Sequence, residues 1–224
     1  MGASDFSKLP HIGESLKRKE DYRFLTGAGQ YTDDVVLAAQ SHAVFVRSPH
    51  AHAKINGINI DAAKAAPGVL GVFTGADVAA DNINGLPCGW LITSTNGEPM
   101  KEPPHPILAQ GKVRYVGDHV AMVVALTQQQ ARDAAELVEV DYDVLPAVVN
   151  VADAASGAVA GAGLHDIAPD NHCFKWAIGD KGGVDAAFAN AAHVTKLDLV
   201  NNRLIPNALE PRTAIGSYSR ANNK

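Results

Sequence analysis

The run His119-Val120-Ala121-Met122-Val123-Val124-Ala125-Leu126 is almost unbroken in its apolar character, and Thr127-Gln128-Gln129-Gln130 follows it directly. A short apolar run bounded by polar residues reads as a strand buried along most of its length. Thr127 with Gln130 three residues later matches a capping box, in which side chains satisfy the orphan amides of a helix's first turn. In the helix so begun, Ala131, Ala134, Ala135 and Val138 fall at i, i+3, i+4 and i+7 and share one face of a 3.6-residue period. Their small side chains suit close packing on a sheet. After Val138 the period becomes two, with Val140, Tyr142 and Val144 on one side and Glu139, Asp141 and Asp143 on the other.

Upstream of this strand–helix–strand unit, residues 11–34 are polar and Gly-rich and read as an extended arm with turns. His42 to Arg47 reads as a strand halted by Ser48-Pro49, and extended chain resumes from Lys54 to Ile60. Asp61 can cap a short Ala-rich helix that Pro67-Gly68 must end, and Val69 to Thr74 is the next strand. Between Asn82 and Pro106 the many Gly and Pro residues exclude a helix or a central strand and predict a long surface loop.

Downstream, Asn150 to Asn171 is Ala- and Gly-rich without a sustained period, a linker candidate. A second amphipathic helix is expected where Val184, Ala187, Phe188 and Ala191 repeat the i, i+3, i+4, i+7 spacing. Strands are expected from His193 to about Leu204 and from Thr213 to Tyr218, the latter followed by a polar turn, Ser219 to Lys224, of the kind that reverses a hairpin. No returning strand follows, so the expectation is a piece of something longer or a chain that pairs with another.

The 224 residues suffice for a buried core without disulfides or structural metal. Lys and Arg number 19 against 24 Asp and Glu, a net charge of −5, which offers no electrostatic footprint for nucleic acid or anionic lipid. No apolar run reaches the roughly 18 residues of a membrane span, and the N-terminus lacks the apolar core of a secretory signal, so a cytoplasmic location is expected. Cys88 and Cys173 are far apart in sequence. An iron–sulfur cluster needs about four thiolates and a structural zinc about four ligands, so neither is expected on this chain.

Three small constellations invite chemistry and yield simpler readings. Gly27-Ala28-Gly29-Gln30-Tyr31-Thr32 starts like a dinucleotide fingerprint but lacks its third Gly, a preceding apolar strand and a following helix, which makes it a turn. His50-Ala51-His52 could supply two metal ligands, but no third is identifiable by spacing, and a structural role after a strand is favoured. Glu139, Asp141 and Asp143 could bind a hard cation but are more simply a solvated strand face. No Ser-His-Asp order, GxSxG elbow or P-loop appears.

Nearly the whole chain does, however, carry a set of motifs in order. These are Ile12-Gly13-Glu14-Ser15, Arg23-Phe24-Leu25-Thr26-Gly27, Tyr31 with Asp33-Asp34, Phe45-Val46-Arg47-Ser48-Pro49-His50-Ala51-His52-Ala53, Pro67-Gly68-Val69 and Val116-Gly117-Asp118. Glu139-Val140-Asp141-Tyr142 with Leu145-Pro146, Gly179-Asp180, Asn202-Arg203 and Leu209-Glu210-Pro211-Arg212 complete it. In this the sequence resembles the start of the large, molybdenum-binding subunit of the molybdenum hydroxylases, the xanthine dehydrogenase, aldehyde oxidase and aerobic carbon monoxide dehydrogenase family. The resemblance implies an α+β fold: an arm and α/β-hammerhead domain over residues 1–150, a linker over 151–170, and the incomplete start of a molybdopterin-binding domain over 171–224. It implies, for a complete subunit, molybdenum on molybdopterin, commonly the cytosine dinucleotide form, with a 2Fe-2S small subunit and an FAD-binding medium subunit as partners. The family's cofactor loops and catalytic glutamate lie beyond Lys224, so no catalytic, cofactor-binding or metal residue is assigned here, and no cofactor is expected on this chain alone. Glu210-Pro211-Arg212 is expected to pack rather than react. The competing expectation is a free-standing interaction module without redox chemistry.

Overall fold

The computed structural model describes residues 13–222, apart from residues 158, 160, 162, 203 and 209. Readings that involve Ile12, Arg203, Leu209, Asn223 or Lys224 therefore lie outside the described residues. In chain order the elements are α1 (Asp21–Leu25), a 3-10 turn (Thr32–Asp34), β1 (His42–Arg47), β2 (Ala53–Asn59), α2 (Asp61–Ala65), β3 (Val69–Thr74), α3 (Gly75–Ala80), β4 (Lys112–Val113), β5 (His119–Ala125), α4 (Gln128–Ala135), β6 (Glu139–Val144), α5 (Val151–Ser156) and α6 (Lys181–Ala189).

Two three-stranded antiparallel sheets result, ordered β1-β5-β3 and β4-β2-β6. Met122 of β5 stands between Phe45 and Phe73, and in the second sheet Ile55 faces Tyr142. This is the α+β arrangement expected from the sequence, but β5 and β6 do not share a sheet: α4 carries the chain from the first to the second. The unbroken apolar character of β5 follows from that. Val120 and Val123 lie on opposite faces of the strand and both are fully buried. Val120 packs with Ala53, Ala109 and Val113, with Ile55, Ile58, Val140 and Tyr142 of the second sheet against them; Val123 packs with Ala63, Val72 and Ala134 under α2 and α4. A strand covered on both faces loses period-two alternation.

At the start of α4, Thr127 Oγ1 accepts from Gln130 N at 3.2 Å, as a capping residue should. The return half of the box differs, since Gln130 Oε1 accepts from the Thr127 hydroxyl at 3.1 Å. Ala131 and Ala134 are fully buried, while Ala135 and Val138 pack at the margin of the same cluster. Asp61 is the first residue of α2 rather than its cap; Asn59 Oδ1 accepts its amide at 3.2 Å.

Several expectations need correction. The arm holds one short helix, α1, and the 3-10 turn, because local carboxylates close both: Asp21 accepts from Arg18 N and Nε, and Asp34 from Tyr31 N at 2.9 Å. The linker reading is untouched by α5, which lies within that stretch, capped by Asn150 Oδ1 on Ala152 N at 2.8 Å and ended by Gly157 at φ +67°, a conformation glycine adopts without strain. No strand forms over the described residues of His193–Leu204 or over Thr213–Tyr218. β-propensity expresses fit to a pleated, half-buried surface, and both stretches are exposed with no ladder partner here. The described residues within Gln40–Lys196 form one compact unit, and those within Met1–Ala39 and Leu197–Lys224 form another. In the latter, Thr32 donates its amide and hydroxyl to Glu210 Oε1 at 2.7 and 2.8 Å.

Candidate functional site

The motif Arg47-Ser48-Pro49-His50-Ala51-His52 meets Val116-Gly117-Asp118 and Leu145-Pro146 in one polar corner in which Ser48, His52 and Asp118 are buried. β1 stops at Arg47 because Ser48 leaves the ladder and turns. Ser48, 2% exposed, donates its amide to Asp118 O and accepts from Gly117 N, both at 2.8 Å. Its hydroxyl donates to His50 O at 2.9 Å and accepts from His50 N at 3.0 Å, so one side chain closes the turn from both directions. Gly117 stands at φ +90°, where a side chain would be strained, and Arg47 Nη1 donates to its carbonyl at 3.1 Å. The Asp118 carboxylate is buried and accepts from Arg114 N at 3.0 Å.

His52 ties this corner to the end of β6. It is 2% exposed; its Nδ1 lies 2.7 Å from Pro146 O and its own carbonyl accepts from Leu145 N at 2.9 Å. A carbonyl only accepts, so Nδ1 is the donor of this bond. The His50 ring meets Tyr142 edge-on, 5.0 Å between centroids at 73°. Burial raises the Tyr142 phenol above its ordinary range against the pull of the Ser48 hydroxyl, and burial with the neighbouring Asp118 charge raises Tyr115. Both phenols stay protonated at neutral pH. Most of the polar groups here bond one another, which suits the corner to holding strands in place; the buried His52 Nε2 alone among them has no hydrogen-bond partner among the described residues.

The constellations read from the sequence are not brought together. His50 and His52 have separate partners, and among the described residues no group of three or more His, Cys, Asp or Glu is placed to hold a metal. Glu139, Asp141 and Asp143 lie on the exposed face of β6, where Glu139 accepts from Asn59 Nδ2 at 3.1 Å and Asp143 lies 4.0 Å from Lys54. Gly27 ends α1 at φ +74° with Ala28 N donating to Arg23 O at 2.8 Å, and Gly29 lies beneath the Phe24 ring, which stacks on Tyr31. That is a helix-ending turn with no phosphate cradle. Cys88 is exposed and Cys173 half-buried, both as free thiols. Nothing in these donor sets fits a molybdopterin site.

Sequence reasoning missed two links, Ser48 with Asp118 and Thr32 with Glu210. A signal was present for the first, since Ser48 and Asp118 each stand in a motif on which the family resemblance rests, and for the Glu210 half of the second.

The fold and corner can be set beside known proteins. Residues 26–146 match the family described as aldehyde oxidase and xanthine dehydrogenase, a/b hammerhead domain. The chain belongs to that family, and its two small sheets are that domain's. The carbon monoxide dehydrogenase large chain of Afipia carboxidovorans is 39% identical over 95% of this chain and 26% of its own length. The nicotine 6-hydroxylase large subunit of Paenarthrobacter nicotinovorans is 36% identical over 92% of this chain and 24% of its own. Among solved structures, reconstituted CO dehydrogenase from Oligotropha carboxidovorans superposes with a TM-score of 0.62 at 39% identity, over 81% of this chain and 22% of that one. Quinoline 2-oxidoreductase from Pseudomonas putida 86 gives 0.54 at 40% identity, over 67% and 18%. The chain thus spans about a quarter of the length of the curated relatives it matches. Among the described residues no helix is long and apolar enough to cross a membrane.

Proposed function

We propose that this chain serves as the hammerhead portion of the molybdopterin-binding large subunit of a molybdenum hydroxylase, structural in its local role and a surface for subunit contact. The enzyme as a whole oxidises an aldehyde, a heterocycle or carbon monoxide with oxygen drawn from water. Residues 1–150 supply the arm and hammerhead, 151–170 a linker, and 171–224 the entry to the cofactor domain. Molybdopterin, as the cytosine dinucleotide, is held by the remainder of the large subunit; electrons leave through a 2Fe-2S small subunit to an FAD-binding subunit in the cytoplasm. The observation that supports this reading is the corner of Ser48, His52 and Asp118, where internal bonds join the family motifs to one another and to the end of β6.

The test is reconstitution. The 224-residue chain is produced alone, and again together with the remaining three-quarters of a carbon monoxide dehydrogenase-type large chain and both partner subunits. Molybdenum content and dye-coupled oxidation are expected only in the complete mixture. Stoichiometric molybdenum or turnover with this chain as the sole large-subunit sequence would overturn the local structural role.

A further inference from the structure

The segment from Gly163 to Lys175 is fastened to two separate parts of the sheet-bearing unit. Its own turn closes through Leu164 N donating to Asn171 Oδ1 at 3.1 Å and the buried Ala168 donating its amide to His165 O at 2.9 Å. Toward β4, Arg114 Nε donates to Leu164 O at 3.0 Å and Lys112 Nζ lies 3.9 Å from Asp166. Toward the long loop, Lys101 N donates to Cys173 O at 2.9 Å, Thr95 N to Lys175 O at 2.8 Å, and Lys101 Nζ lies 3.4 Å from Asp170.

Within this segment one partly buried group can change charge near neutral pH. His165 Nδ1 is shielded from solvent and has no hydrogen-bond partner among the described residues. The groups around the ring are Arg114 and Lys112 from the β4 side, His105 from the long loop and Asp166 in its own turn. The Asp166 side chain is fully exposed, so water screens the one carboxylate that would welcome a proton. A charge on His165 arrives beside Arg114, the residue that anchors the turn.

We propose that Gly163–Lys175 is an acid-released strap whose trigger is protonation of His165. Arg114 holds the carbonyl of Leu164, the residue next to His165; the neutral ring leaves that anchor undisturbed, whereas the imidazolium is repelled by the charges of Arg114 and Lys112 and loosens it. Thr95 and Lys101 then lose their acceptors, so the strap and the middle of the long loop open together while the two sheets hold. Burial and then Arg114 keep the folded ring below its ordinary value. A depressed histidine stabilises the closed form fully above the unfolded value near 6.5 and progressively less as pH falls beneath it. His119 is depressed in the same direction by burial and Arg47, but it sits in β5 with its ring 4.5 Å from Phe45, and it serves as the control. The inference does not rest on the proposed role in a larger enzyme.

Amide exchange of the full chain at about pH 7.5 and about pH 5.5, corrected for intrinsic rates, reads the opening. Protection of Leu164, Ala168, Lys175, Thr95 and Lys101 should fall by up to about tenfold for each pKa unit of depression, while Val120 to Ala125 keep theirs. His165→Gln should remove that pH response, and His119→Gln should retain it. If His165→Gln fails to close even at the higher pH, the ring titration of wild-type His165 followed by NMR must coincide with the loss of strap protection. A strap indifferent to pH, a parallel loss in β5, an unchanged response in His165→Gln, or a titration that does not coincide would each overturn the proposal.

Discussion

Helices α4 and α6 carry the same sequence signal and meet opposite fates. Each sets four apolar residues at i, i+3, i+4 and i+7, and each is capped by a side chain on a first-turn amide, Thr127 on Gln130 N and Asp180 on Gly183 N at 3.0 Å. Ala131 and Ala134 of α4 are wholly buried against the first sheet. On α6 nothing is buried, and its largest apolar side chains, Val184 and Phe188, are 52% and 60% exposed. An amphipathic period describes one surface of a future contact, whereas burial needs the second surface as well. α4 has it because β5 precedes the helix directly and presents a strand buried on both faces.

Charge insertion tests this contrast most severely. Ala134→Asp puts an unpaired carboxylate against Val123 and Val72 and should lower unfolding stability by about 3 to 5 kcal/mol in urea titration. The matched change Ala187→Asp should stay within about 0.5 kcal/mol, because its side chain already faces water. Ala135→Asp should fall between the two, since Ala135 packs at the edge of the cluster rather than in it. Equal losses at positions 134 and 187 would mean that α6 has a packing partner and that the contrast between the helices is false.

The caps sharpen the same point at a smaller scale. Thr127→Ala should cost about 1 kcal/mol of global stability, since α4 unfolds with the sheet it covers. Asp180→Ala removes an equivalent bond, yet it should leave the unfolding midpoint in place and reduce only the local order of α6, read from secondary chemical shifts. A midpoint shift of similar size in both variants would show α6 to be coupled to the core.

What was legible follows the same division. β1 and β3 fall on the residues read from the sequence, β5 one residue shorter, and the α4 face is buried where the period put it; the strands were legible from residue type and turn signals, the helix face from its period. The partition of β5 and β6 between sheets was not legible, because alternation specifies which face is covered and never which strand lies beside it. Nor was the corner, where Ser48 finds Asp118 seventy residues away and His52 finds Pro146 across 94. Such bonds join turns whose local sequence says only that the chain reverses. The strands expected over 193–204 and 213–218 failed for the reason α6 stays bare: propensity without a partner surface makes extended chain, not a ladder.

The unit containing Thr32 and Glu210 is the limiting case, since none of its described residues is buried and tying falls to single polar groups. The Thr32 amide and hydroxyl both donate to the Glu210 carboxylate, and these two bonds hold its pKa below the ordinary glutamate range. The sign follows: bonds to the ionised form favour the tie above the ordinary value, and they are lost as pH falls through the depressed one. Because the carboxylate is exposed, solvent screening leaves this the smallest of the expected effects. Thr32→Val keeps the amide donor and removes the hydroxyl, so the Glu210 titration midpoint, followed by side-chain NMR, should move part of the way back toward the ordinary value. An unmoved midpoint would mean that the Thr32 hydroxyl does not hold Glu210. A rise in the midpoint without any change in the exchange of β5 would place this tie, like α6, outside the cooperative core that α4 helps to build.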